Sequence, residues 1–283
     1  MKSAAVTAFV VSKVEAGQSL QLFLSVKLSI SKRAAKNLMD DRAVWVNRKC
    51  VWMAHHALHQ GDTVEVPAKH KPASEAPAKI RILVEDEHYL VADKPSGMVA
   101  VGEGSLEEAL RAQTGQSALR AVHRLDRDTT GCLLVAKSGE AFDAAVALFK
   151  TRKVTKQYHA IVFGCFDRSS STVDQALDGE RAVSHIQREA VSKDASFLKV
   201  RIETGRTHQI RRHLAGIRHP VLGDREHGVK FARDPRLLTI PRQMLHASGL
   251  ELPHPLLAGK SLKAHSPLPA DYRRCLKLFD MGK

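Results

Sequence analysis

HRLDRDTTGCLLVA, residues 123–136, joins a charged loop to a run without a charged side chain, and that join decides how the chain is built. CLLVA at 132–136 shows no alternation, so it predicts a strand covered on both faces, in the interior of a sheet. The residues before it set Asp126 between Arg124 and Arg127, ahead of a Thr-Thr-Gly turn. A carboxylate placed there is fixed by backbone structure yet stands at the edge of the sheet, where it can serve as nucleophile or base. Desolvation alone would raise its pKa, and a neighbouring guanidinium would restore the ionised form.

Working outward, KIRILV (79–84) and HYLVA (88–92) read as short strands around the acidic turn Glu85–Glu87, a hairpin. Pro95 and Gly97 break the chain, and Ser105 with Glu108 forms a capping box that opens a short helix. Residues 139–150 place Phe142, Val146 and Phe149 on one helical face. QYHAIVFG at 157–164 alternates as a strand, with Tyr158, Ala160 and Val162 on one side. FLKVRIE (197–203) is a further strand, followed by GRTHQIRRH (205–213) leading into a helix with Ile210, Leu214 and Ile217 on one face. Strands that follow one another directly, with few helices between, predict an α+β fold with a mixed, largely antiparallel central sheet and flanking helices. There is no internal repeat and no phosphate-cradling glycine loop.

Charge points to the partner. Lys and Arg number 44 against 30 Asp and Glu, a formal net charge of +14, and the pI is near 9.8. Each phosphate neutralised by such a surface releases counterions and adds affinity, as a nucleic-acid ligand requires; charge alone leaves a merely soluble basic protein open, and the arrangement of the basic residues decides. Cys50, Cys132, Cys165 and Cys275 are scattered without a CxxC pair, which predicts neither a zinc knuckle nor a disulfide framework and fits a reducing cytoplasm. The apolar run near the N-terminus is too short for a membrane span, which needs about 20 residues. Cytoplasmic localisation and a monomer are the expectations.

PAKHKPASEAPAK at 67–79 carries three prolines and loses all apolar periodicity, which predicts a linker between a unit at 1–66 and one at 80–283. In the first unit Leu20, Phe23, Leu24 and Leu28 recur at helical spacing, and a second helix at 32–40 turns Ala34, Leu38 and Met39 inward. Lys32, Arg33 and Lys36 share another face of that helix. AVWVN (43–47) and GDTVEV (61–66) read as strands, with Asn47 and Arg48 at a turn. SKRAAKNLMDDRAVWVNRK at 31–49 with Gly61-Asp62 resembles the S-four RNA-binding module, although the module's usual Arg-Leu-Asp helix opening is here Ser19, Leu20, Gln21. The resemblance implies RNA contacts at Lys32, Arg33, Lys36 and Arg48.

HRLDRDTTG, read with KPSG at 94–97 and GRTHQIRRH at 205–213, resembles the RluA family of RNA pseudouridine synthases over nearly the whole chain. LHASGLELPHP (245–255) and SPLP (266–269) extend the match almost to the last residue. The resemblance implies that Asp126 is the essential aspartate: it acts at the ribose, the bond to the uracil nitrogen breaks, the base rotates, and a carbon–carbon bond forms. It further implies that Tyr158 stacks on the uracil and assists at carbon five, that Arg211 pairs with Asp126, and that Ile210 packs on the base. Arg124 matches the residue that, in a family member, fills the gap left by the extruded nucleotide, with a salt bridge to Asp128 or Glu103 as the other reading; Arg206 and Arg127 are expected to contact substrate, Arg206 through phosphate unless its hydrogen bonds are structural. His123 is expected to buttress the loop. The family uses no metal, nucleotide or redox cofactor, in keeping with the lack of ligand-spaced motifs here.

Two departures stand out: His227 in GDREHG replaces the family's usual tyrosine, and Thr130 stands where serine is common. Other readings are a noncatalytic RNA-binding or ribosome-assembly protein, which has no need of Asp126, Tyr158 and Arg211 together, and a glycoside hydrolase, which needs a second motif-borne acid about 5–9.5 Å from the first. The S-four resemblance inclines the expected substrate to large-subunit ribosomal RNA, with transfer RNA as the alternative.

Overall fold

The structure, a computed structural model, describes residues 6–28, 30, 32–40, 42–67, 79–151, 153–229 and 234–282. Most of the stretch predicted as a linker, 68–78, lies outside the described residues. The chain divides into two compact units, Met1–Ala78 and Lys79–Lys283.

In the first unit, β1 (Val6–Val10), α1 (Leu20–Lys27), α2 (Lys32–Asp40), β2 (Trp45–Val46), β3 (Lys49–Cys50) and β4 (Thr63–Pro67) follow in order. The strands make an antiparallel sheet ordered β1-β4-β2-β3. Ser19 caps α1, and Leu20, Phe23 and Leu24 are buried as their spacing requires. On α2 the inward residues are Ala35, Leu38 and Met39, so the predicted Ala34 is replaced by its neighbour: 35, 38 and 39 form the one stripe that meets the core. The predicted strand 43–47 shrinks to Trp45–Val46; at its end Asn47 and Arg48, read as a turn, both adopt left-handed backbone (φ 50° and 63°) and close a two-residue hairpin. Asn47 then ties the hairpin to the Gly-Asp turn, donating to Asp62 and accepting from the Thr63 amide. The edge strand β1 escapes sequence reading because it is only half covered.

The second unit contains β5 (Arg81–Glu85), β6 (Tyr89–Lys94), α3 (Leu106–Thr114), β7 (Arg120–Ala121), β8 (Thr130–Ala136), α4 (Gly139–Phe149), β9 (Thr155–Phe163), β10 (Ser170–Asp174), β11 (Val183–Val191), β12 (Ala195–Ile202), α5 (Gln209–Gly216), α6 (Pro235–Leu238), β13 (Leu245–Pro253), β14 (Ser261–His265) and α7 (Ala270–Leu278). Its sheet runs β10-β11-β12-β9-β13-β8-β6-β5, with β14 on β13 and β7 on β8. Every pairing is antiparallel except β13 with β8. This is the expected α+β, mostly antiparallel mixed sheet.

β8 is buried along its whole length, and its two faces serve two cores. Leu133 and Val135 join α3, α5 and the inner side of β9 and β12, while Cys132, Leu134 and Ala136 pack with α4, β13 and β14. That double coverage is why CLLVA shows no alternation. Gly131, second in the strand, has left-handed backbone, φ 109°, and a Cβ there would collide with the carbonyl of Ala247 on β13. On α4 the fully buried residues are Ala141 and Ala145, with Phe142, Leu148 and Phe149 partly covered; the small side chains let the helix sit close to the sheet, which the predicted aromatic face did not anticipate. Among the described residues no helix is long and apolar enough to cross a membrane.

Candidate active site

Asp126 lies in the loop between β7 and β8, and each residue that follows it is held by a different partner. The Arg127 carbonyl accepts from Lys94 Nζ at 2.8 Å, the Asp128 carbonyl from Arg242 at 3.1 Å, and Thr129 Oγ1 from Gln243 at 2.7 Å. Thr130 Oγ1 lies 2.8 Å from His246 Nδ1. The loop is thereby fixed from β6 on one side and from the segment leading into β13 on the other. His123 braces its start: Nε2 accepts from the Leu134 amide, the ring stacks on Phe149, and burial pushes its pKa down to about 4, so it is a neutral structural group.

Lys94 is buried to 1 % exposure, and its ammonium donates to the carbonyls of Pro95, Met98 and Arg127 at 2.7–2.8 Å. Burial pulls its pKa down to about 7 against the raising influence of Asp128 and Asp126. Three acceptors match the three protons of the ammonium, so the anchor is built for the charged form.

α5 brings the arginine. Its N-cap, His208, has left-handed backbone, φ 52°, and the turn before it is locked by buried Gln209, which accepts from the Arg206 amide and Thr204 hydroxyl and donates to the Val183 carbonyl on β11. Arg211, in the first turn, donates through Nη1 to Asp126 Oδ2 at 3.0 Å. Its Nε and Nη2 grip Asp224 at 2.6 and 2.8 Å, and Nη2 also reaches Glu226 at 3.2 Å. Asp224 has no exposed side-chain area and accepts as well from the amides of Glu226 and His227. Burial would raise the Asp224 pKa, but Arg211 and these amides outweigh it and hold the group below the ordinary carboxylate range. For Arg211 the balance runs the other way: burial alone would lower it, and Asp224 with Asp126 raise it. Gly223 is required just before this acid, since a Cβ at its φ of 72° would strike the Arg242 carbonyl.

Two cavities meet at Asp126. One, of about 650 Å³, is walled by Arg124, Asp126, Arg127, His208, Arg211 and Glu226 among others. The other, of about 100 Å³, lies between Tyr158, Ile202, Ile210 and Leu245, with Asp126, Arg124, Arg206 and Arg211 on its polar side. Six of the seven site residues predicted for this unit thus share the small cleft, and Arg127 lines the larger one. Arg124 is exposed and, among the described residues, makes no ion pair. Arg206 leans away, bonded to Glu180 and to the Arg181 carbonyl. Tyr158 is buried, which together with the Asp126 charge raises its pKa, so the phenol stays protonated.

Lys32, Arg33, Lys36 and Arg48 belong to the first unit. Lys32, Lys36 and Arg48 are exposed, and the side chain of Arg33 lies outside the described residues. Lys36 borders a surface hollow with Trp52, Met53, His55 and His56, and Arg42 lies over the Trp52 ring at 4.9 Å. Sequence reading missed Asp224, Arg242, Gln243 and Trp52. Gly223-Asp224 was visible as a motif fragment, and an acid in a glycine turn was the available signal.

Comparison with known proteins identifies the family. Residues 88–216 match the family model for RNA pseudouridylate synthase. The chain is 37 % identical to ribosomal large subunit pseudouridine synthase D of Pseudomonas aeruginosa, over 78 % of this chain and 79 % of that protein. It is 33 % identical to ribosomal large subunit pseudouridine synthase C of Vibrio cholerae, over 92 % and 93 %. Among solved structures it is similar to human RNA pseudouridylate synthase domain containing 4, at a TM-score of 0.59 and 25 % identity, over 70 % of this chain and 92 % of that one. With a relative this similar aligned over most of both chains, the sequence belongs to the RluA family of RNA pseudouridine synthases.

Proposed function

We propose that this enzyme converts uridine to pseudouridine in large-subunit ribosomal RNA, with Asp126 as the catalytic group. The observation that carries the reading is the Asp126–Arg211–Asp224 chain set against an apolar cleft one side of which is Tyr158 and Ile210. The substrate class follows from the relatives' names, both large-subunit synthases.

In this reading the target nucleotide leaves its stack and enters past Arg124, whose planar guanidinium fills the place it vacates; extrusion costs a few kcal/mol that this stacking partly offsets. The uracil lies between Tyr158 and Ile210. Asp126 acts at the ribose, and the bond from C1′ to N1 breaks. The base turns within the cleft and C1′ bonds to C5. The proton on C5 leaves to solvent and N1 takes one up, so the reaction is an isomerisation. Arg211 supplies orientation: a guanidinium pinned by a buried aspartate holds the reacting carboxylate in one rotamer by a charge-assisted hydrogen bond. A protonated Tyr158 fits a stacking role better than removal of the C5 proton by a phenolate.

The first unit, residues 1–66, is proposed as an S-four-like RNA-binding domain joined through 67–79 to the catalytic domain at 80–283. Lys32, Arg33, Lys36 and Arg48 meet phosphate there, and exposed Trp52 offers a ring for an unpaired base. The enzyme is proposed to act as a monomer in the cytoplasm, without metal, nucleotide or redox cofactor in the reaction.

Tritium release from C5-labelled uridine tests the proposal. Wild type acting on ribosomal RNA from cells lacking the enzyme should release label, and Asp126→Ala should not. Release from transfer RNA alone would reassign the substrate. Tight RNA binding without release from either would leave an RNA-binding scaffold.

A further inference from the structure

Three donor groups that no motif links converge at the rim of the larger cavity. His208 Nδ1 lies 3.1 Å from His227 Nε2. The Glu226 carboxylate turns Oε2 to His208 at 3.3 Å and Oε1 to His227 at 3.6 Å. His208 and Glu226 line the cavity wall, and both imidazoles are about three-quarters covered, with 25 % and 24 % of their side chains exposed.

These separations are close to those a single ion requires. Ligand atoms about 2.0–2.1 Å from a tetrahedral zinc stand about 3.3–3.4 Å from one another; from His208 Nδ1 the His227 nitrogen and Glu226 Oε2 stand at 3.1 and 3.3 Å, and the other carboxylate oxygen, Oε1, stands 3.6 Å from His227. Two imidazoles and one carboxylate form a mixed nitrogen and oxygen set that suits zinc and its first-row neighbours, whereas magnesium and calcium take oxygen ligands. We propose that His208, His227 and Glu226 bind a zinc-like divalent cation at the rim of the larger cavity, and that the bound cation inhibits the enzyme. The cation takes no part in the reaction itself, for which the family resemblance implies no metal.

The far side of the His208 ring ties the site to Asp126. With Nδ1 on a metal, His208 must carry its remaining proton on Nε2, and Nε2 faces Asp126 Oδ1 at 3.9 Å. A carboxylate facing the far N–H of a ligating histidine is the arrangement that fixes ring and tautomer at metal centres. The cation would therefore draw Asp126 toward His208, and it would narrow the approach between Arg124 and Glu226. Glu226 Oε2 is shared with Arg211. Arg211 keeps Asp224 and Asp126 when that oxygen turns to a metal, so binding does not dismantle the fold.

The test is a Co²⁺ titration of the full-length, EDTA-treated protein followed by its visible ligand-field absorption. One equivalent should bind with the intense bands of a low-coordinate site, Zn²⁺ should displace it, and excess Mg²⁺ should not. His227→Phe and Glu226→Gln should each weaken binding by at least about tenfold. Absence of the bands, or bands unchanged in both variants, overturns the site; Glu226→Gln, a change at an exposed side chain, carries the test if His227→Phe fails to fold. Inhibition is read as Zn²⁺ suppression of tritium release, each protein being scaled to its own metal-free rate. Wild type should be suppressed and the variants resistant, and equal suppression of all three overturns the inhibitory role. That arm rests on the uridine-isomerase reading: wild type that releases no tritium at all defeats that reading, while the Co²⁺ result still judges the site.

Discussion

Arg211 and Lys36 each sit beside an aspartate, 3.0 Å from Asp126 in one case and 3.3 Å from Asp40 in the other. Only 7 % of the Arg211 side chain is exposed, and it makes four hydrogen bonds to three acids, one of them with no exposed area. Half of the Lys36 side chain is in solvent, and its partner is the next turn of the same helix. Exposed pairs at that spacing contribute about 0.3–0.5 kcal/mol, whereas losing one member of a buried pair costs about 3–5 kcal/mol. A basic residue beside an acid is thus two different devices. In the cleft it fixes geometry, and on α2 it leaves the ammonium half in solvent, where the proposed RNA contact would find it.

The sharpest break in the comparison comes at Asp126. Asp126→Ala should lower tritium release by at least about 10³-fold while leaving RNA affinity within a few-fold, measured by filter binding, because the carboxylate contributes no attraction to phosphate. Asp224→Asn comes next. It leaves Arg211 with a neutral partner that cannot accept both donors as an anion does, so Asp126 loses its fixed rotamer. kcat should fall by about 10- to 100-fold with KM little changed, and urea unfolding should show a loss of about 3 kcal/mol. An equal fall in kcat/KM carried wholly by KM would mean that Asp224 serves RNA binding instead.

The cleft's two halves were unequally legible in the sequence. CLLVA announced a doubly buried strand because both faces demand apolar side chains, and from it followed the sheet that carries Asp126. Tyr158, Ile210 and Arg211 stood in motifs whose residue types match their chemistry. Asp224, Arg242 and Gln243 were not read, since each acts on a partner between 13 and 114 residues away. Only topology brings them there. The α4 face misled for a related reason: aromatics outweigh alanines in any apolar pattern, yet Ala141 and Ala145 make the close approach. In the first unit Leu38 and Met39 of the α2 stripe were read correctly and only Ala34 gave way to Ala35, and Asn47 and Arg48 make the turn that was read there, with left-handed backbone at both.

Lys94 tests whether a buried charge without an acidic hydrogen-bond partner follows the same rule as Arg211. Burial holds its pKa near 7, against about 10.4 in an unfolded chain. Between those values the unfolded chain binds a proton that the native one lacks, so stability rises with pH there; below 7 the cost of burying the ammonium is present in full. The contribution is at most about 1.4 kcal/mol per pH unit. Urea unfolding at about pH 7.5 and about pH 9 should show that slope in wild type and not in Lys94→Met. At about pH 9 the variant, which leaves three carbonyls without their donor, should be less stable than wild type by about 2 kcal/mol, and at about pH 7.5 the gap should be smaller. Identical slopes in the two proteins would mean that the native ammonium keeps its proton across the window.

The smallest effect is expected on α2, and its form matters more than its size. Lys36→Ala removes a charge that touches no core residue, so the melting temperature should stay within about a degree, as for most surface changes. Turnover on saturating RNA should be unchanged, because the substitution lies in the other compact unit. What should change is the salt dependence of binding: one phosphate contact fewer lowers the slope of log K against log salt by about 0.7–0.9. At low salt that loss appears as weaker binding, and near physiological salt much of it disappears as counterion release loses its driving force. A charge reversal, Lys36→Glu, should double the slope change without touching kcat. Lys36→Ala that lowered kcat while leaving the slope intact would mean that α2 positions the RNA target and does not merely attract it, and the line between fixed and solvent-exposed charge would have to be drawn elsewhere.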